Sequence, residues 1–186
     1  VALYAIGVGY GYVLDDEIVF LKNEFVQKGF GGIRQIFAAD SFLGYFKEPK
    51  LLLEGGRYRP LSLATFAMEV GMFGPGHTAI SHGINIFLYG LTGIFLYRIL
   101  LGLFPISEGG RWYFSLPFIA AVVFVMHPLH VECVANIKGR DEILALLGGL
   151  GALWATLKYF DSNKVWWLAI ASVSLLLGMF AKENAL

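Results

Sequence analysis

The chain has 186 residues, is 57% hydrophobic and only 15% charged, and balances 14 basic against 14 acidic side chains. A soluble domain carries about 25% charged residues, so this chain has too little polar surface to clothe itself in water, and its mean hydropathy of +0.65 points to a bilayer. The neutral balance gives no sign of a nucleic-acid partner, so none is expected, and a single cysteine, Cys133, excludes an internal disulfide and a cysteine-based metal cage.

Residues 1–14, VALYAIGVGYGYVL, lack the basic start and cleavage site of a signal peptide. Fourteen residues rise about 21 Å against an apolar core of about 30 Å, so they read as the end of a transmembrane helix cut at its start. The closing AKENAL carries no stop signal and reads as a second cut.

Asp15-Asp16-Glu17 follows directly. Adjacent carboxylates at a membrane edge repel one another unless a cation intervenes, and a general base, a metal ligand and a helix terminator all fit the pattern. Within the loop 15–78, Phe30, Ile33, Ile36 and Phe37 keep helical spacing; after Pro60, a good first helical residue, Leu61, Ala64, Met68 and Met72 continue one face. Two such amphipathic segments lie in the interface plane, as a roof over a cavity or as a plain anchor. Arg57-Tyr-Arg59-Pro suits a lipid-linked phosphate, which a guanidinium grips with paired hydrogen bonds; snorkelling to headgroups fits equally well.

The later spans are expected over approximately 79–104, 112–126, 143–160 and 165–181. The third is short and should stop at His127, which Pro128 biases away from helix. Glycines at 83, 90, 93, 148, 149 and 151 suit close helix packing. His82 and Asn85, one turn apart at the start of the second span, suggest a satisfied interhelical hydrogen bond. The fold is therefore all-α, a polytopic transmembrane bundle forming a single membrane domain over 1–186, with interfacial helices in the first outer loop.

Five spans leave Arg98, Arg111, Lys158, Lys164, Glu108 and Asp161 on one face, and the other 10 basic and 12 acidic residues opposite them. The positive-inside rule makes the sparse face cytoplasmic. The crowded face is then periplasmic or lumenal. Its densest block is His127-Pro-Leu-His130-Val-Glu132 and then Lys138-Gly-Arg140-Asp141-Glu142. Two histidines three apart with a glutamate offer a divalent metal some ligands, but the spacing differs from the helical motif with histidines four apart. Neither a metal nor another cofactor is required by the pattern. Lys138 and Arg140 precede a helix N-terminus, where backbone amides already favour an anion such as phosphate. Lys182-Glu183 closes the fifth span as an internal ion pair or a partner for the block before the fourth.

In chain order these residues read Asp-Asp, Tyr-Arg-Pro-Leu, His-x-x-Asn, HPLHVECVANIKGRDE and Lys-Glu. That order resembles the membrane half of the transmembrane and tetratricopeptide-repeat O-mannosyltransferases and their bacterial relatives, which are C-type (GT-C) glycosyltransferases dependent on polyprenyl phosphate. The resemblance implies a GT-C-type bundle that moves a sugar, mannose by the family's name, from a polyprenyl-phosphate donor to a protein hydroxyl on the outer face. It implies a carboxylate after the first span as base, with Asp15 first choice and Asp16 second. Arg57, Arg59, Lys138, Arg140 and Lys182 become donor-phosphate ligands. His82, Asn85, His127, His130, Glu132, Asp141, Glu142 and Glu183 become pocket residues. Partners are then the bilayer, the lipid-linked sugar, a protein acceptor and further subunits. The wording of the HPLHVECVANIKGRDE block favours a bacterial inner membrane over the endoplasmic reticulum. The tetratricopeptide repeats themselves are missing from the fragment.

Two other readings stand beside this one. A catalytically idle GT-C-like relative would serve as the membrane subunit of a larger assembly. An ion- or proton-coupled transporter would spread charges through the depth of its spans, where this sequence has almost none.

Overall fold

The computed structural model describes residues 2–47, 57–106 and 109–185, and helix is the regular structure found among them. The opening apolar segment forms a 3-10 helix over Ala2–Gly9 instead of the last turns of an α-helix, and regular structure resumes only at α1 (Leu14–Asp16). Glycines at 7, 9 and 11 explain the difference, since each costs about 1 kcal/mol in an α-helix interior. A π-helical turn, Glu17–Leu21, continues α1 into the loop.

The loop folds as a set of short helices on the outer end of the bundle: α2 (Glu24–Gln27), α3 (Ile33–Ala38), α4 (Leu43–Phe46) and the longer α5 (Pro60–Phe73). Asn23 anchors them, because its buried side chain accepts from the N–H groups of Phe25 and Val26 and donates to the Ser41 carbonyl at 3.0 Å. Pro60 opens α5 as expected, but the buried face differs from the sequence reading. Of the expected face, Ala64 is buried, Leu61 and Met68 are half-buried and Met72 is exposed, while the residues that point inward beside them are Leu63, Phe66, Ala67 and Val70. They join Phe20, Val26, Ile36 and Ile137 in one core, so the helices are packed onto the turn before the fourth span. Each fully buried side chain of this size contributes about 1.5–3 kcal/mol.

Four longer helices follow: α6 (Thr78–Leu103), α7 (Leu116–Met126), α9 (Arg140–Ser162) and α10 (Trp166–Ala181), with the short α8 (Val131–Ala135) between α7 and α9. Two helices, Thr78–Leu103 and Ile137–Ser162, are long and apolar enough to cross a membrane, and α7 with the bent segment after it forms either a third, broken span or a re-entrant loop. The bend is 49° and falls at His127, whose extended backbone is the conformation Pro128 imposes. Helix α10, with 16 residues, rises about 24 Å and is short of a full bilayer core.

Helices α9 and α10 cross closely, since a Cβ on Gly148 would stand 2.5 Å from the Gly178 Cα. Gly83, by contrast, faces open space. Phe87, Ile94, Val123, Val173 and Leu176 are exposed along the helices, an arrangement costly in water and natural against lipid. The chain is thus an integral membrane protein. At one end of the bundle Lys158 pairs with Asp161; Glu108 lies outside the described residues. The opposite end, where α6 and α9 begin and α10 finishes, carries the dense charge.

Candidate functional site

A cavity of about 180 Å³ opens at that end, beneath the loop helices and above α9. Asp15, Arg59, Lys138, Asp141, Glu142 and Lys182 line it together with Glu132. Four segments distant in sequence, around residues 15, 59, 132–142 and 182, therefore deliver ionisable groups to one small space.

Each cation in the cavity already has a carboxylate. The Arg59 guanidinium reaches Asp141 at 2.8 Å and takes Glu183 with two hydrogen bonds, at 2.6 and 3.2 Å. Burial alone would lower the Arg59 pKa; Glu183 and Asp141 overrule it and raise it. The same hydrogen bond from Arg59 holds the Glu183 carboxyl below its ordinary range. Lys182 pairs with Glu142, and the Lys138 ammonium meets Asp15 at 2.6 Å.

The two aspartates are not equivalent. Asp16 is fully buried, and its oxygens accept from the backbone N–H groups of Val13 at 2.9 Å and Lys138 at 2.8 Å. It ties the first segment to the turn before α9. The Asp15 side chain is 53% exposed and lines the cavity. Gly139 permits that turn, because a Cβ there would collide with the Cys133 carbonyl.

Arg140 does not reach the cavity. It is fully buried among α5, α6 and α9, pairs with Glu69, donates to Asn85 at 2.8 Å, Thr65 at 3.2 Å and the Ser81 carbonyl at 3.0 Å, and stacks on Phe66. With its donors committed, it is a structural rivet beneath the site. Arg57 sits over the Phe42 ring and lines a separate hollow of about 430 Å³. The Tyr58 hydroxyl donates to the Phe37 carbonyl, fastening this strap to α3.

The histidines are placed away from the cavity as well. His127 is exposed and caps the following turn through Leu129 N–H, while His130 shares a 2.7 Å hydrogen bond with the Tyr89 hydroxyl. Asn85 makes the expected interhelical bonds, donating to the carbonyls of Asn136 and Ile137. His82 does not: it is buried with the Tyr10 backbone nearby, yet neither ring nitrogen meets a hydrogen-bond partner among the described residues. Asp141 and Glu142 line the cavity, and Glu183 stands at its rim on Arg59. Among the described residues no three His, Cys, Asp or Glu side chains are arranged to hold a metal.

Glu69 was not singled out from sequence, although a lone acid inside the apolar run of α5 was a signal for a buried partner. Asn136 and Cys133, which also line the cavity, carried no distinguishing pattern.

Comparison with known proteins gives one consistent result. The chain is 30% identical over 156 residues to protein O-mannosyl-transferase F38B6.6 of Caenorhabditis elegans, covering 84% of this chain and 21% of that protein. It is 29% identical over 142 residues to protein O-mannosyl-transferase TMTC4 of Homo sapiens (69% and 19%), and 35% identical over 91 residues to human TMTC1 (48% and 9%). It therefore spans about a fifth or less of each of these relatives. No protein-family model matches the chain, and no solved structure matches it.

Proposed function

For a chain that belongs to the protein O-mannosyl-transferase family, we propose that the cavity at the charged end is where a sugar passes from a polyprenyl-phosphate donor to a protein hydroxyl. Asp15 takes the hydroxyl proton. The oxygen then attacks the anomeric carbon, the bond from that carbon to the phosphate oxygen breaks, and the lipid phosphate leaves with the electron pair. A base must reach the proton it removes, and fixed cations must face the charge that develops on the leaving group.

The observation that carries this reading is the meeting of Asp15 with Arg59, Lys138 and Lys182 around one cavity of about 180 Å³. Asp15 is preferred to Asp16 as base because Asp16 is buried and held by two backbone N–H groups. Arg59 offers the planar fork that suits a phosphate. Glu132, Asp141 and Glu142 supply acceptors for sugar hydroxyls. The positive-inside rule supports a periplasmic or lumenal side for this face.

The test is transfer of labelled mannose from polyprenyl phosphate to protein by the full-length protein in membranes. Asp15→Asn should lower transfer by about a hundredfold or more while the protein stays folded. Unchanged transfer would remove the proposed base; no transfer by the wild type from any polyprenyl-phosphate sugar would favour an idle membrane subunit.

A further inference from the structure

Lys138 holds both aspartates at once. Its backbone N–H donates to Asp16 at 2.8 Å and its ammonium grips Asp15 at 2.6 Å. The ammonium pair also occupies a distinctive place. The cavity of about 180 Å³ and the hollow of about 430 Å³ have only Asp15 and Lys138 in common among the residues that line them. The ion pair thus borders both spaces.

An anion entering the cavity finds its three lining cations engaged, so a carboxylate must give way. Asp141 is ill suited to leave Arg59, because its side chain is 7% exposed and would be stranded away from water. Displacing Glu183 leaves Arg59 still bound to Asp141. Among the three cations Lys138 is the most accessible, at 26% against 14% for Arg59 and 15% for Lys182, and its partner Asp15 is half in solvent. An exposed pair of this kind costs little to open. Opening it also releases the one carboxylate that borders both spaces.

We propose that Lys138 is a positioning residue that keeps Asp15 idle until a phosphate arrives, and that the donor phosphate takes the place of Asp15 on the ammonium and frees the base. This rests on the donor site proposed above. Donor must then bind before acceptor is deprotonated.

The experiment measures binding of polyprenyl phosphate without sugar to the full-length protein in lipid nanodiscs. Removing the competing carboxylate with Asp15→Asn or Asp15→Ala should tighten binding about fivefold, the upper range for an exposed pair. The gain should disappear in a Lys138→Gln background, where there is no ammonium to release. Unchanged or weaker binding in both Asp15 variants overturns the proposal, as does an equal gain with and without Lys138. Those results leave the donor site standing if the wild type still binds and transfers. Absence of polyprenyl-phosphate binding by every protein overturns the donor site together with the latch.

Discussion

Arg140→Leu should be the most damaging single substitution in this region. The guanidinium is fully buried and serves Glu69, Asn85, Thr65 and the Ser81 carbonyl, and it stacks on Phe66 at 4.4 Å. Leucine would leave Glu69, only 5% exposed at its side chain, with the Ser81 hydroxyl as its remaining partner. Breaking one side of a buried pair costs about 3–5 kcal/mol, because the surviving charge is stranded. The double variant Glu69→Leu with Arg140→Leu removes both charges and should recover a large part of that loss. The measurement is equilibrium unfolding of the protein in mixed detergent micelles, with all four combinations compared. A loss below about 1 kcal/mol for Arg140→Leu, or a double variant as unstable as the single, would refute the rivet.

Arg59→Lys keeps the charge but loses the planar fork that meets Asp141 and Glu183 together; mannose transfer should fall about tenfold or more, and wild-type rates would contradict it. Glu183 has its pKa depressed, so its bond to Arg59 contributes stability above the unfolded value of 4.5 and loses it as pH falls through the lower folded value. The difference in melting midpoint between wild type and Glu183→Gln should therefore persist from pH 7 to 5 and vanish in stronger acid; a difference that instead grows on acidification would reverse the sign. Gly148→Leu drives a side chain into Gly178 across the α9–α10 crossing and should destabilise the protein by about 1–3 kcal/mol in the same micelle unfolding assay. Unaltered unfolding would mean that the two helices do not pack so closely in the membrane.

The charged end was legible because intramembrane charge is costly and apolar runs divide it cleanly between two faces. Asp15, Arg59, Lys138 and Lys182 could be brought to one end by counting spans, before any side-chain contact was known. Arg140 could not be separated from Lys138 on that basis. Two residues apart on the same turn, Lys138 faces the cavity, whereas Arg140 turns into the core toward Glu69, Asn85, Thr65 and the Ser81 carbonyl. The resemblance makes His127 and His130 pocket residues; the structure, with its bend at Pro128, directs them toward Leu129 and Tyr89 instead. The apolar character of the first segment suggests α-helix, yet its closely spaced glycines make the 3-10 form over Ala2–Gly9 the cheaper one. In α5 the buried stripe is wider than apolar spacing suggests, because it takes in Glu69 facing Arg140 as well as Ala64 and the apolar residues toward the core.

The most direct measurement is to photo-cross-link a polyprenyl-phosphate analogue, reactive at its head group, to the full-length protein and identify the labelled peptides. The proposed site requires labels on the segments bearing Asp15, Arg59, Lys138 and Lys182. Labels confined to the opposite end, around Arg98, Arg111, Lys158 and Lys164, would contradict it.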